Sequence, residues 1–133
     1  MARRVTFEDL NKISSKNKFV STSPLNAFRV VYIDSAGEVA LASPNTLTSY
    51  QKVIGVLIED SDGQVPAIVQ LNGRVDTGSS SFVAGDPLFF DASGQLTSTE
   101  PTEVGGAQYI QQIGYAVSDS EIFIQLHTPL KFV

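Results

Sequence analysis

A loose internal repeat, with strands that are apolar at consecutive positions, most constrains what this chain can fold into. Ala27-Phe28-Arg29-Val30-Val31-Tyr32-Ile33-Asp34-Ser35-Ala36-Gly37-Glu38-Val39 leads to Pro44, and Ala84-Gly85-Asp86-Pro87-Leu88-Phe89-Phe90-Asp91-Ala92-Ser93-Gly94-Gln95-Leu96 leads to Pro101. Each copy passes a tyrosine (Tyr50, Tyr109), enters an Ile-Gly step (Ile54-Gly55, Ile113-Gly114) and closes on Gln-Leu (Gln70-Leu71, Gln125-Leu126). The offset drifts from 57 to 59 to 55 between residues 27–71 and 84–126, so loops change length while strands keep their pattern. Matching positions carry no shared reactive side chain. The repeat therefore points to architecture rather than chemistry.

Phe28–Ile33 and Leu88–Phe90 are rich in aromatic and β-branched residues, as strands are. Asp34-Ser35-Ala36-Gly37, Asp60-Ser61-Asp62-Gly63 and Asp91-Ala92-Ser93-Gly94 share an Asp-x-x-Gly form. There the carboxylate accepts backbone N–H groups and the glycine supplies the positive φ of a bulged hairpin loop. Ser118-Asp119-Ser120-Glu121 takes the fourth equivalent turn without a glycine. Each copy then reads as a pair of hairpins, giving about eight short strands joined by Thr77-Gly78-Ser79-Ser80-Ser81. A sheet with one wet face alternates apolar and polar residues. Val30-Val31-Tyr32-Ile33, Val56-Leu57-Ile58, Leu88-Phe89-Phe90 and Ile122-Phe123-Ile124 do not, so both faces want cover. The expectation is an all-β domain, a small β-barrel or β-sandwich, with a partner subunit covering part of the outside.

With 133 residues, one domain is expected over 27–133, preceded by an N-terminal arm over 1–26. The arm is Ser/Lys/Asn-rich, and Thr6–Ile13 offers one or two helical turns at most, marginal in isolation. Residues 1–29 hold six of the nine basic residues, five of them in the arm, while residues 30–133 hold three basic against twelve acidic. An acidic body argues against nucleic acid as a partner, since phosphate contacts need Lys and Arg. Arg3, Arg4, Phe7, Leu10, Lys12, Lys16, Lys18 and Phe19 are the arm residues expected to dock on another protein. No apolar run approaches the ~20 residues of a membrane span. The two N-terminal arginines are followed by no apolar core, so they do not read as a secretory signal. The lack of cysteine excludes disulfides, thiolate catalysis and cysteine-type zinc sites.

Candidate chemistry is sparse. His127 is the sole histidine and lacks a nucleophile elbow or acid pair, so it reads as a surface residue rather than a general base. Asp60-x-Asp62-Gly63 comes nearest a calcium loop, but Gln64-Val65-Pro66 supplies no further oxygen ligands. Gly105-Gly106 opens no helix and so cradles no phosphate. No pair of acids stands out for glycoside hydrolysis. Tyr50, Tyr109 and Tyr115 could stack on sugars. The expectation is a non-enzymatic protein with no cofactor and no metal; a glycan-binding module is the alternative.

Phe82-Val83-Ala84-Gly85-Asp86-Pro87-Leu88-Phe89-Phe90-Asp91-Ala92-Ser93-Gly94-Gln95-Leu96-Thr97, followed by Ile113-Gly114-Tyr115-Ala116 and Ile122-Phe123-Ile124-Gln125-Leu126, resembles a pattern in capsid decoration (cement) proteins of tailed bacteriophages. The first copy matches at Val31–Gly37 and Ile54-Gly55-Val56, and departs where Phe28-Arg29-Val30 replaces Gly-Asp-Pro. The resemblance implies a small β protein, multimeric and often a homotrimer, on the outer surface of the virion head. There it would clamp neighbouring major capsid protein subunits, after assembly in the host bacterial cytoplasm. An arm such as 1–26 could add a strand to a neighbour's sheet edge. Related modules in phage fibres or head projections contact host-surface glycans.

Overall fold

The computed structural model describes residues 15–50, 52–63, 65–78 and 81–132. Its strands are β1 (Lys16–Phe19), β2 (Val30–Ile33), β3 (Val39–Leu41), β4 (Val53–Leu57), β5 (Ala67–Gln70) and β6 (Gly73–Asp76). There follow β7 (Pro87–Phe90), β8 (Leu96–Thr97), β9 (Tyr109–Ile110), β10 (Gly114–Ala116), β11 (Glu121–Ile124) and β12 (Leu130–Lys131). A 3-10 turn, Leu47–Ser49, precedes β4. One antiparallel sheet runs β1-β5-β4-β2-β3 and a second runs β6-β11-β10-β7-β8, with β12-β9 as a small third pair. The chain is all-β, as its strand pattern requires, and layered as a sandwich.

The two strand orders are the same if β1 is matched with β6, β2 with β7, β3 with β8, β4 with β10 and β5 with β11. The repeat is therefore larger than the sequence likeness. Each copy is two hairpins plus a preceding edge strand, and the copies join at Leu71-Asn72 rather than at Thr77–Ser81. The register also corrects the alignment of the last strands. Val56 pairs with Gln70, and Tyr115, one step past the equivalent glycine, pairs with Phe123. Gln70 is thus the structural counterpart of Phe123, an offset of 53, and the shared Gln-Leu is a likeness of letters only.

Why the Ile-Gly step recurs is a matter of space. A Cβ on Gly55 would overlap the Gln70 carbonyl oxygen, and one on Gly114 would overlap the Phe123 carbonyl oxygen. In both copies the hairpin brings backbone against backbone where only glycine fits. β2 and β4 slip register between Val31 and Tyr32 beside this point, a bulge that bends the sheet.

The Asp-x-x-Gly turns are also built alike at two of the three sites. Asp34 Oδ1 accepts the Ala36 and Glu38 N–H groups at 2.9 and 3.0 Å, and Asp91 Oδ1 accepts those of Ser93 and Gln95 at 2.9 and 3.0 Å. Gly37 and Gly94 follow at φ 80° and 74°. The third turn differs. Asp60 Oδ1 reaches back to the Ala27 N–H at 2.8 Å, and Ser61 Oγ caps Gly63 instead at 3.2 Å. In the fourth, Ser118 Oγ replaces the carboxylate, accepting the Ser120 and Glu121 N–H groups at 3.2 and 3.1 Å.

Among the described residues, two apolar clusters are buried. Val31, Val39, Leu57, Ala67 and Val69 form the smaller, on one face of the first sheet, with Phe19, Leu25, Ile54 and Leu71 packed on it. The larger joins Val30 and Val56, from the opposite face of that sheet, to Leu88, Phe90, Ile122 and Ile124 of the second. Each such fully buried side chain contributes about 1.5–3 kcal/mol.

The segment read as the second half of a free arm lies in this body. β1 pairs with β5, from Lys16 opposite Gln70 to Phe19 opposite Ala67. The chain then crosses to the far edge of the same sheet, where the Val39 N–H donates to Val20 and the Thr22 N–H to Val39, both at 2.9 Å. Leu25 and Ser61 exchange backbone hydrogen bonds at 2.9 and 2.8 Å, and the buried Ser21 and Ser61 hydroxyls meet at 2.6 Å. Residues 16–25 thus tie both edges of the first sheet and cover its inner face.

Candidate interaction surface

Of the arm residues expected to dock, Arg3, Arg4, Phe7, Leu10 and Lys12 lie outside the described residues. Lys16 and Lys18 are exposed on β1. Phe19 is half-buried against Val31 and its neighbours, so it packs on its own domain instead of on a partner. The structure gathers no docking patch from these three: β1 spreads the two lysines along an edge strand and turns the phenylalanine inward.

His127 is exposed, and its backbone is tied down on both sides. Its N–H donates to Gln112 at 2.9 Å, and its carbonyl accepts from Gln111 Nε2 at 2.8 Å. Asp60 and Asp62 each accept a loop N–H, from Ala27 and from Val65. Among the described residues no group of three acids or histidines could hold a metal ion. No described helix is long and apolar enough to cross a membrane.

The three tyrosines separate cleanly. Tyr109 is fully buried; its hydroxyl meets Ser49 Oγ at 2.6 Å and the Ser43 carbonyl at 3.2 Å. Burial raises its pKa above the ordinary phenol value near 10, partly offset by the Ser49 hydrogen bond. Tyr50, its counterpart in the first copy, packs edge-on against it at 5.4 Å between ring centroids. Tyr115 alone reaches the surface, 39% exposed, stacked on Phe123 at 5.4 Å with an interplanar angle of 21°.

Tyr115 marks the outer face of the second sheet. Register places Arg74 beside Phe123, Phe123 beside Tyr115, and Tyr115 beside Pro87, one row across four strands. In the next row Glu121 lies opposite Asp76. Arg74 Nη1 and Glu121 Oε2 are 3.4 Å apart, with side chains 65% and 38% exposed. The corresponding positions of the first sheet, Val30, Val56 and Gln70, are buried under the second. Sequence reasoning named Tyr115 and the apolar run Ile122-Phe123-Ile124 but did not bring Arg74, Phe123, Tyr115 and Pro87 together as one row. Its signal was present in Gly114-Tyr115-Ala116 and Ile122-Phe123-Ile124, where one aromatic stands between residues facing the opposite way.

A shallow cleft of about 280 Å³ lies between the Pro44-Asn45 turn and the 97–107 loop, with Phe90, Ala92, Pro101 and Ala107 on its walls. It is below the usual size of a small-molecule site and could take one apolar side chain. Comparison with models of known protein families finds no match, and comparison with curated proteins finds none similar enough to count as a relative.

Proposed function

We propose that the chain is a non-enzymatic virion structural protein, a capsid decoration protein of a tailed bacteriophage. It would bind the outer surface of the head, contact the major capsid protein and stabilise the joints between its subunits. Self-association, as a trimer in the reading from resemblance, would let several weak contacts to the shell act together through effective concentration. The observation that carries this reading is what the duplication retains. Gly55 and Gly114 keep one backbone approach, Asp34 and Asp91 keep one turn, and no polar site is held in common. A protein selected for shape and surface, rather than for a reactive centre, has this pattern. Quantitative mass spectrometry of purified particles tests it. A copy number that matches the shell lattice is expected, and absence from particles overturns the proposal.

A second reading, a fibre or head-projection module for host-surface glycans, is favoured by the Tyr115–Phe123 stack, since a flat aromatic face at the surface suits a sugar ring. It predicts glycan binding that Tyr115→Ala abolishes, and a copy number limited to vertices or tail.

A further inference from the structure

We propose that the outer face of the second sheet is where two copies of this chain associate, in a two-fold contact that sets Arg74 of each copy against Glu121 of the other. This rests on the self-association in the reading above but gives it as a two-fold dimer in place of a trimer. It is tested on the free protein and that reading on particles, so the two can fail separately.

The layers stack in one sense. The inner face of the first sheet is covered by Phe19 and Leu25, and its outer face by the inner face of the second sheet. What remains is the outer face of the second sheet, the position that Val30 and Val56 occupy, fully buried, in the first copy. In stacked repeats the terminal unit stays soluble by presenting a polar outer face. Here the terminal face instead presents Tyr115, Phe123 and Pro87 in a row.

Charge selects the occupant. Among the described residues the face carries a cation, Arg74, at the end of the aromatic row, and carboxylates on Glu121 and Asp76 beside it. Such a surface complements itself: a half-turn of a second copy places each arginine over the other's acids while the aromatic rows meet. The internal Arg74–Glu121 pair is long and exposed, so it contributes little, and it leaves the guanidinium with donors for a second carboxylate. The chain's net charge of −5 opposes close approach of like copies, and a contact that sets each Arg74 against the other copy's Glu121 offsets part of that cost.

Sedimentation velocity over a concentration series tests the contact with Arg74→Glu, Glu121→Arg and Tyr115→Ser. The wild-type chain should associate, and each single variant should weaken association by ~10-fold or more. An equimolar mixture of Arg74→Glu and Glu121→Arg should restore it, because opposite charges then face each other across both halves of the contact. A residue that merely stabilises its own sheet gives no such rescue. Circular dichroism and thermal midpoints close to wild type at high dilution, where no copy is associated, establish that the variants fold. A wild-type chain that stays monomeric overturns the proposal. So does a mixture that fails to restore association, or a wild-type assembly that is a trimer. Loss of particle or glycan binding by Tyr115→Ser in an otherwise monomeric protein assigns the face to another occupant and overturns it as well.

Discussion

Among the described residues the first sheet buries both of its faces, while the outer face of the second buries Phe89 but leaves Pro87, Tyr115 and Phe123 partly or fully exposed, although the two sheets run five equivalent strands in the same order. What survives between them is backbone geometry. Phe28 donates its N–H to the Leu57 carbonyl, as Gly85 does to Ala116, and the Leu57 and Ala116 N–H groups return bonds to Arg29 and Asp86. Phe28 even holds a positive φ of 64°, where its counterpart Gly85 sits at 92°. Side chains, by contrast, have followed the layer they face. Val56, between the sheets, is aliphatic and buried; Tyr115, at the same position on the outside, is aromatic and exposed. A duplicated fold thus becomes a directional stack when each face is fitted to a different neighbour.

The largest expected effects probe the shared geometry. Gly55→Ala and Gly114→Ala each press a methyl group into a backbone carbonyl that cannot swing away as a side chain would. Each should lower stability by ~3–5 kcal/mol in urea unfolding, at the upper end of single substitutions. A clearly milder Gly114→Ala would break the equivalence and show that the second sheet relaxes towards its less covered side.

Next comes the tyrosine pair, equivalent in sequence and unequal in burial. Tyr109→Phe removes the hydroxyl that meets Ser49 and the Ser43 carbonyl, and should cost ~1–3 kcal/mol. Tyr50→Phe, at a half-buried ring, should cost less. Because burial raises the folded pKa of Tyr109, its neutral form is favoured in the fold. Its contribution is whole below the unfolded value near 10 and is lost as pH rises from there through the folded value. Alkaline titration of stability should therefore be shallower in Tyr109→Phe than in wild type. Identical slopes would remove that phenol from the account.

Much of this comparison was legible in the sequence, and the failures have physical causes. The Asp-x-x-Gly turns at Asp34 and Asp91 follow from local chemistry, which a four-residue window contains. Asp60 escapes the same rule because a tertiary partner, the Ala27 N–H, takes its carboxylate. β1 and β6 share no residues, since an edge strand needs only backbone pairing on one side and tolerates Lys-Asn-Lys and Gly-Arg alike. That is why residues 16–19 read as a free arm. Runs of consecutive apolar residues did signal two covered faces. They could not say that Phe19 and Leu25 supply one cover, a second repeat another, and that the described residues leave Tyr115 on the last face exposed.

A smaller effect tests whether the turns are as equal as they look. Asp34→Ala and Asp91→Ala each remove an acceptor for two N–H groups in an exposed loop, where water can replace it. Each should cost about 1 kcal/mol, and the two values should agree. A larger loss at Asp91 would show that the β7–β8 turn is held tightly by the first copy, which it reaches through the Val30 N–H to Gly94 carbonyl bond at 2.8 Å.

The smallest effect on stability carries the sharpest contrast. Tyr115 is partly exposed and stacked on one neighbour, so Tyr115→Ser should change the stability of the isolated chain by no more than ~0.5 kcal/mol at high dilution. The equivalent residue in the first copy, Val56, has no exposure, and a serine there would place a hydroxyl between two packed sheets. Raising the protein concentration should separate wild type from Tyr115→Ser, because only a chain with its aromatic row intact gains stability by mass action from a second copy. If the thermal midpoint of wild type is the same at every concentration, the outer face gains nothing from a second copy, and the stack ends there.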